Sequence, residues 1–142
     1  MARAGILEPM PYRNASLALI SLAAGLDAAM LLLFVVIGRA SHGEGLWGVL
    51  GTWWPFLAGL VVAWLVLRVW RAPLQIWWTG VGLWLITVLV GMLLRVASGQ
   101  GVQTSFVIVT VLVLGVFLLG WRAIARLVSR LRRRRGQPGP AA

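Results

Sequence analysis

The chain has 142 residues, of which 61% are apolar and only 11% are charged, and its 13 basic residues outnumber three acidic ones. So apolar a chain lacks the polar side chains to cover a water-soluble surface, and its length leaves no room for a separate soluble catalytic domain. Cysteine is absent, which excludes disulfides, thiolate metal sites and covalent haem attachment. The composition therefore predicts an integral membrane protein, and no cofactor or metal is expected.

Four apolar runs follow one another along the chain, and each reaches the roughly 20 residues that a helix needs to cross a bilayer. Lipid offers the backbone no hydrogen-bond partners, so the predicted fold is an all-α integral membrane protein with four transmembrane helices. The predicted organisation, in chain order, is an N-terminal segment at 1–14, a four-helix domain at 15–121 with helices at about 17–37, 46–69, 76–94 and 103–121, a basic amphipathic extension at 122–135 and a disordered tail at 136–142.

Asp27 interrupts the first span, at the eleventh of its 21 predicted residues and so near the bilayer centre. Placing an acidic residue at the centre of a membrane-spanning helix costs about +2.5 to +3.5 kcal/mol of insertion free energy, so its side chain should face protein or trapped water. No arginine or histidine is expected at that depth, which predicts no ion pair within one subunit. The predicted midplane polar site instead joins Asp27, as a neutral acid, to the hydroxyls of Thr87 and Thr110 or to a deep indole. A structural tie between helices and a proton or cation relay are equally favoured roles.

The outer ends of the first and third spans share a motif. The chain reads RASHGEG at 39–45 and RVASGQG at 95–101, an offset of 56 residues, which predicts two tandem helical hairpins in a parallel repeat. Glycine and arginine at these positions cap helix ends in the favoured interpretation. The alternative is an outer polar vestibule that holds an anion between paired guanidinium groups, formed by Arg39, His42, Glu44, Arg95 and Gln100.

Arginines are unevenly divided between the two sides of the predicted bundle. The side that holds both termini carries eleven of them, whereas the other side carries only Arg39 and Arg95. Because loops rich in basic residues stay in the cytoplasm, this distribution predicts a multi-pass plasma-membrane protein with both termini cytoplasmic. The side with Arg39 and Arg95 is called outer below, after this prediction, and the opposite side is called inner.

Basic side chains dominate the stretch after the fourth span. Arginines recur every four residues from Arg122 to Arg130 beside an apolar stripe, and a run of four arginines follows. Such an amphipathic helix is expected to lie against the anionic inner leaflet, and nucleic acid is the weaker candidate partner. The predicted lipid-binding residues are Arg122, Arg126, Arg130, Arg132, Arg133, Arg134 and Arg135.

Several short patches occur together in this chain: Asp27, Phe34, GRASHGEG at 38–45, TWWPFLAG at 52–59, GMLLR at 91–95, SGQG at 98–101 and LLGWR at 118–122. Together they resemble the small prokaryotic membrane family known as domain of unknown function three-zero-five-four, over roughly residues 20 to 122. The resemblance implies a four-helix membrane protein without an established activity. It supplies no catalytic residues for this chain.

Two functional hypotheses follow from these observations. The narrowly favoured one is a small proton- or ion-coupled transporter, or a conducting oligomer, that uses Asp27 as its coupling group. The alternative is a non-catalytic accessory or assembly subunit of a larger membrane complex. An enzyme is not expected, because one histidine and three acidic residues at different depths do not form an acid–base pair. The expected partners are membrane lipids and either a second copy of the chain or a larger complex.

Overall fold

The computed structural model describes residues 15–39 and 45–135, and this part of the chain contains helices and turns but no strand. Its four long helices are α1 (Leu17–Arg39), α2 (Leu46–Val66), α3 (Gly82–Ala97) and α4 (Thr104–Arg135). A π-helical turn, Ile76–Val81, leads directly into α3. The described residues thus contain four helices long and apolar enough to cross a membrane, which confirms the predicted all-α fold. The predicted segment 1–14 and tail 136–142 lie outside the described residues.

All four helices end at residues other than the predicted ones, and the differences at α2 and α4 have a clear structural basis. α2 ends at Val66, short of the predicted 69, because Arg68 takes a positive φ of 50°, a left-handed conformation that turns the chain out of the helix. α4 runs without a break for 32 residues, so the predicted fourth span and the basic extension form one helix. At about 1.5 Å per residue it is about 48 Å long, which exceeds the roughly 30 Å of hydrocarbon in a bilayer. Part of α4 must therefore extend past the apolar layer.

The most extensive helix contact joins α2 to α3, and two glycines lie within it. A Cβ at Gly59 would lie 2.7 Å from the backbone oxygen of Thr87, and one at Gly91 would lie 2.3 Å from the ring of Phe56. Lipid does not drive helices together as water does, so close van der Waals packing of this kind carries much of the association. The buried apolar core beside this contact contains Leu31, Phe34, Val35, Phe56, Leu60, Leu83, Leu114 and Leu118.

The outer end of α3 carries a glycine cap, as the favoured interpretation of the RVASGQG motif predicts. Gly99 has a φ of 71°, its N–H donates to Val96, and the N–H of Gln100 donates to the carbonyl oxygen of Arg95 at 3.0 Å. These two bonds satisfy carbonyls that the helix end would otherwise leave unpaired. Corresponding glycines of the two motifs differ in backbone, since φ is 69° at Gly101 and −64° at Gly45. The internal repeat stays a prediction.

Candidate functional site

The buried carboxylate of Asp27 pairs with the guanidinium of Arg122 at the inner half of the bundle. Nη1 of Arg122 donates to Oδ1 at 2.7 Å and Nη2 donates to Oδ2 at 2.7 Å, and both side chains are fully buried. The indole N–H of Trp121 donates to Oδ1 at 2.9 Å, and that of Trp64 donates to Oδ2 at 3.0 Å. Each carboxylate oxygen therefore accepts two hydrogen bonds, which offsets the cost of burying both charges. We call these four residues the Asp27 clasp.

The rest of the Arg122 guanidinium is also hydrogen-bonded. Its Nε donates to the carbonyl oxygen of Pro73 at 3.1 Å, and Nη1 donates a second bond to that of Leu118 at 2.9 Å. Gly80, within the π-helical turn, leaves room for the side chain, because a Cβ there would lie 3.3 Å from Cδ of Arg122. The clasp thus joins α1, α2, α4 and the connection before α3. This geometry favours the structural tie among the two roles predicted for Asp27.

Three predictions about this region are wrong. Asp27 does form an ion pair within the subunit, and Arg122 is fully buried in that pair rather than lying against lipid headgroups. The predicted midplane bonds from Thr87 and Thr110 to the carboxylate are not formed, whereas the alternative, a bond from a deep indole, is confirmed at Trp64. Both threonine side chains are fully buried, and their hydroxyls have no hydrogen-bond partner in the described part of the chain.

The direction of side chains on antiparallel helices explains why the ion pair was not predicted. Asp27 lies twelve residues below Arg39 on α1, about 18 Å along an ideal helix, whereas Arg122 lies eighteen residues below Thr104 on α4, about 27 Å. Side chains lean towards the N-terminus of their own helix, so Asp27 leans inward and Arg122 leans outward. The long arginine side chain spans the remaining distance. Counting depth from the backbone alone places the two charges too far apart.

A pocket of about 310 Å³ lies near the outer ends of the helices, and we call it the outer pocket. All four helices contribute to its wall. Its polar lining consists of Arg39, Thr52, Arg95, Gln103 and Ser105, and its apolar lining consists of Phe34, Val35, Gly38, Phe106 and Val109. Two of these residues carry positive charge, and no acidic residue is found among the lining residues that the structure describes. The chemistry of the wall therefore suits an anion.

Arg95 is the most deeply buried charge in the outer pocket, with 8% of its surface exposed. Its Nη1 donates to Oε1 of Gln100 at 2.9 Å, and its guanidinium carbon lies 4.4 Å from the centre of the Phe106 ring. Its Nε has no hydrogen-bond partner within residues 15–39 and 45–135. The nearby positive charge of Arg39 repels that of Arg95, and Arg39 itself donates a hydrogen bond to the Thr52 hydroxyl.

The predicted outer vestibule is partly represented in this pocket. Arg39 and Arg95 both line the pocket. Gln100 accepts a hydrogen bond from Arg95 but does not line the pocket. His42 and Glu44 lie outside the described residues. Sequence reasoning missed Thr52 and Phe106, which come from the second and fourth spans. The only signal for Thr52 was its place at the start of the TWWPFLAG patch, since nothing in the sequence gives the orientation of one helix against another.

Three phenylalanines close the outer pocket towards the bundle core. The ring centroids of Phe34 and Phe56 are 5.9 Å apart, those of Phe34 and Phe106 are 6.4 Å apart, and those of Phe56 and Phe106 are 6.2 Å apart. Phe56 is fully buried, whereas Phe34 and Phe106 reach the pocket itself. The aromatic cluster therefore separates the charged wall from the apolar core below it.

The remaining arginines of α4 lie on its outside. Arg126 is half-buried, and Arg130 and the run from Arg132 to Arg135 are exposed. Their exposure suits contact with lipid headgroups, and their role in lipid binding stays a prediction. Among the predicted lipid-binding residues, Arg122 alone is fully buried and therefore does not contact lipid headgroups.

One family model matches residues 24–125, a range that includes both the Asp27 clasp and the outer pocket. Its description is Protein of unknown function (DUF3054). The match confirms the resemblance found in the sequence patches. No curated protein and no solved structure matches the chain.

Proposed function

The chain belongs to the DUF3054 family of proteins of unknown function, and we propose that it is a membrane protein that binds an anion in its outer pocket. The observation that carries this proposal is the buried guanidinium of Arg95, which lines the pocket with an Nε that lacks a partner among the described residues. A buried charge is costly unless an opposite charge compensates it. A bound oxoanion would accept hydrogen bonds from this wall and would offset the repulsion from Arg39.

Coupling of transport through Asp27 receives little support from its surroundings. A relay residue has to exchange protons or cations with water, but this carboxylate accepts four hydrogen bonds and is fully buried. Its release would break a bidentate ion pair and leave Arg122 without compensation. We therefore base the proposed function on the outer pocket.

Retention of the anion is the favoured role, which makes the chain a binding or accessory subunit. The phenylalanine cluster supports this role, because it lies between the pocket and the bundle core. Transport of the anion is the second candidate, favoured by the place of the pocket among helices that are long enough to cross a membrane. We propose no reaction in the pocket, because its described lining offers no acid–base pair.

Inorganic phosphate is the first probe of this proposal, because its oxygens suit the guanidinium fork. The purified full-length protein should bind it saturably, and Arg95→Gln should weaken binding about tenfold or more. A hydrogen bond to a charged group is worth about 1.5–3 kcal/mol, and about 1.4 kcal/mol corresponds to a factor of ten. Isothermal titration calorimetry in a neutral detergent gives both affinities.

Arg71→Gln is the matched control, because it removes the same charge from an exposed residue at the opposite end of the bundle. It should change the affinity by less than about twofold, since exposed charges at that distance are largely screened. Equal losses from the two variants, or no saturable binding by the wild type, would refute the proposed site. Saturable phosphate uptake into proteoliposomes that disappears in Arg95→Gln would establish transport in place of retention.

We also propose the orientation that the arginine distribution predicts, with the outer pocket on the external face of the plasma membrane. The absence of cysteine allows single reporters at exposed positions, Ser98 beside the pocket and Ser129 at the other end of the bundle. In intact cells, Ser98→Cys should react with an impermeant maleimide, and Ser129→Cys should react only after permeabilisation. The reverse pattern would place the termini outside.

Arg126, Arg130 and the run from Arg132 to Arg135 are proposed to bind anionic lipid of the inner leaflet, as the sequence suggests. Each exposed basic side chain near such a surface contributes about 1 kcal/mol. A second copy of the chain, or a larger membrane complex, remains the proposed protein partner.

A further inference from the structure

The mouth of the outer pocket lies between α1 and α4. Its walls from α2 and α3 are closed, because Thr52 is only 5% exposed and Arg95 only 8%. Its walls from α1 and α4 are open, because Gly38 is exposed and Val109 is 50% exposed. The pocket is therefore open on the side of α1 and α4, and its most buried charge lies on the closed side.

The opening reaches down into the membrane-spanning part of the helices. Val109 lies five residues along α4 from Thr104, which is about 7.5 Å along the helix axis. At the level of the pocket, α1 and α4 approach each other through Phe34 and Phe106, and deeper in the bundle the Asp27 clasp ties the two helices together. The open side of the pocket therefore lies between the outer ends of these two helices and the clasp, at a depth where headgroups and the first part of the acyl chains lie.

The most buried charge of the pocket and its exposed apolar residue lie on different walls, and the exposed Gln103 and Ser105 lie nearer the outer end than Val109. The guanidinium of Arg95 occupies the closed side, whereas Val109 lies at the open side and Val35 completes the apolar wall. A small hydrated anion would leave this apolar wall and the sideways opening unused. A ligand with an anionic head and an alkyl chain would use both, with its head at Arg95 and its chain passing between α1 and α4 into lipid.

We infer that the ligand of the outer pocket is an anionic amphiphile, an oxoanion that carries a single alkyl chain and enters from the bilayer. This inference rests on the proposed function, since it specifies the substrate class of the same site. Methyl phosphate and dodecyl phosphate are suitable probes, because they present the same charged head and differ only in the chain.

Gly38→Leu tests the opening. A Cβ at Gly38 meets no atom of the described residues within 4 Å, so a larger side chain has open space to enter at the mouth. We expect this variant to weaken dodecyl phosphate binding about tenfold or more and methyl phosphate binding by less than about twofold. Gly25→Leu is the matched control on the same helix, with equally open space and no place in the outer pocket, and it should change neither affinity.

A second pair of variants tests the other rim. Val109→Trp should weaken dodecyl phosphate binding selectively, whereas Val116→Trp, which makes the same change at an exposed site on α4 outside the pocket, should not. All measurements use the full chain in one detergent, so that partition of the alkyl chain into micelles is the same for every variant.

The outcomes separate this inference from the proposed function. If methyl phosphate binds in an Arg95-dependent manner and the variants at the mouth weaken both ligands equally or neither, the amphiphile inference is wrong and anion binding stands. If neither ligand binds the wild type, both the inference and the proposed function are wrong. Selective loss of dodecyl phosphate in both variants at the mouth, with unchanged controls, supports entry from the membrane.

Discussion

Asp27→Leu should lower the free energy of unfolding by about 3–5 kcal/mol, because it leaves the guanidinium of Arg122 buried without an opposite charge. The same change removes the acceptor of two indole N–H groups, those of Trp64 and Trp121. Arg122→Met should be destabilising to a similar extent, because it strands the carboxylate. Unfolding of the purified protein in mixed micelles, followed by tryptophan fluorescence, measures both losses.

The double variant Asp27→Leu/Arg122→Met distinguishes a paired site from two independent ones. Neither charge is then left alone, so the double variant should be more stable than the sum of the single losses predicts, by at least about 2 kcal/mol. Arg126→Met is the matched control, because it removes an arginine one turn further along α4 that does not belong to the clasp. Additive losses, or a loss as large in Arg126→Met as in Arg122→Met, would contradict the clasp.

Gly59→Val should lower the free energy of unfolding by about 1–3 kcal/mol or more, because its Cβ would lie 2.7 Å from the backbone oxygen of Thr87. A backbone atom of a packed helix cannot move aside as a flexible side chain can, so α2 and α3 would have to separate. The resulting loss of close packing is not restored by lipid. Micellar unfolding, with the distance between single cysteines on the two helices as a second measurement, reports the effect.

Gly51→Val provides the control for Gly59→Val. Both glycines belong to α2, so the gain in helix propensity is the same, but a Cβ at Gly51 meets nothing within 4 Å. This variant should be neutral or slightly stabilising. Equal destabilisation by the two variants would show that helix crowding at Gly59 is not the cause.

The clasp and the outer pocket occupy different parts of one helix pair. At the inner half, the Asp27–Arg122 pair fixes α1 to α4, and at the outer end the same helices form the mouth of the pocket. A change in the clasp would therefore affect the rim as well as stability. The affinity of dodecyl phosphate for clasp variants that remain folded would measure how strongly the clasp affects the mouth of the outer pocket.

Several features could be obtained from the sequence because they depend on neighbouring residues. The four spans follow from runs of apolar residues, since the membrane requires a helical backbone wherever such a run crosses it. The glycine cap of α3 follows from a local arginine and glycine pattern, and the structure shows it at Arg95 and Gly99. Burial of Asp27 also follows, because a charge in a span has to avoid lipid.

The partner of Asp27 was decided only by the tertiary structure. In the sequence, Arg122 belongs to a regular series of arginines that resembles a lipid-facing surface. It lies 95 positions from Asp27, and Trp121, another partner of Asp27, lies 94 positions from Asp27. The rotation of α4 about its axis turns Arg122 inward while the other arginines of α4 remain outside. The outer pocket likewise combines residues from four helices whose relative positions follow from packing, and glycine contacts such as that of Gly59 determine this packing. Local hydropathy determined the four spans of the described residues, whereas side-chain shape and charge on distant segments determined which faces meet, because helices associate in lipid through close packing and bonds between them.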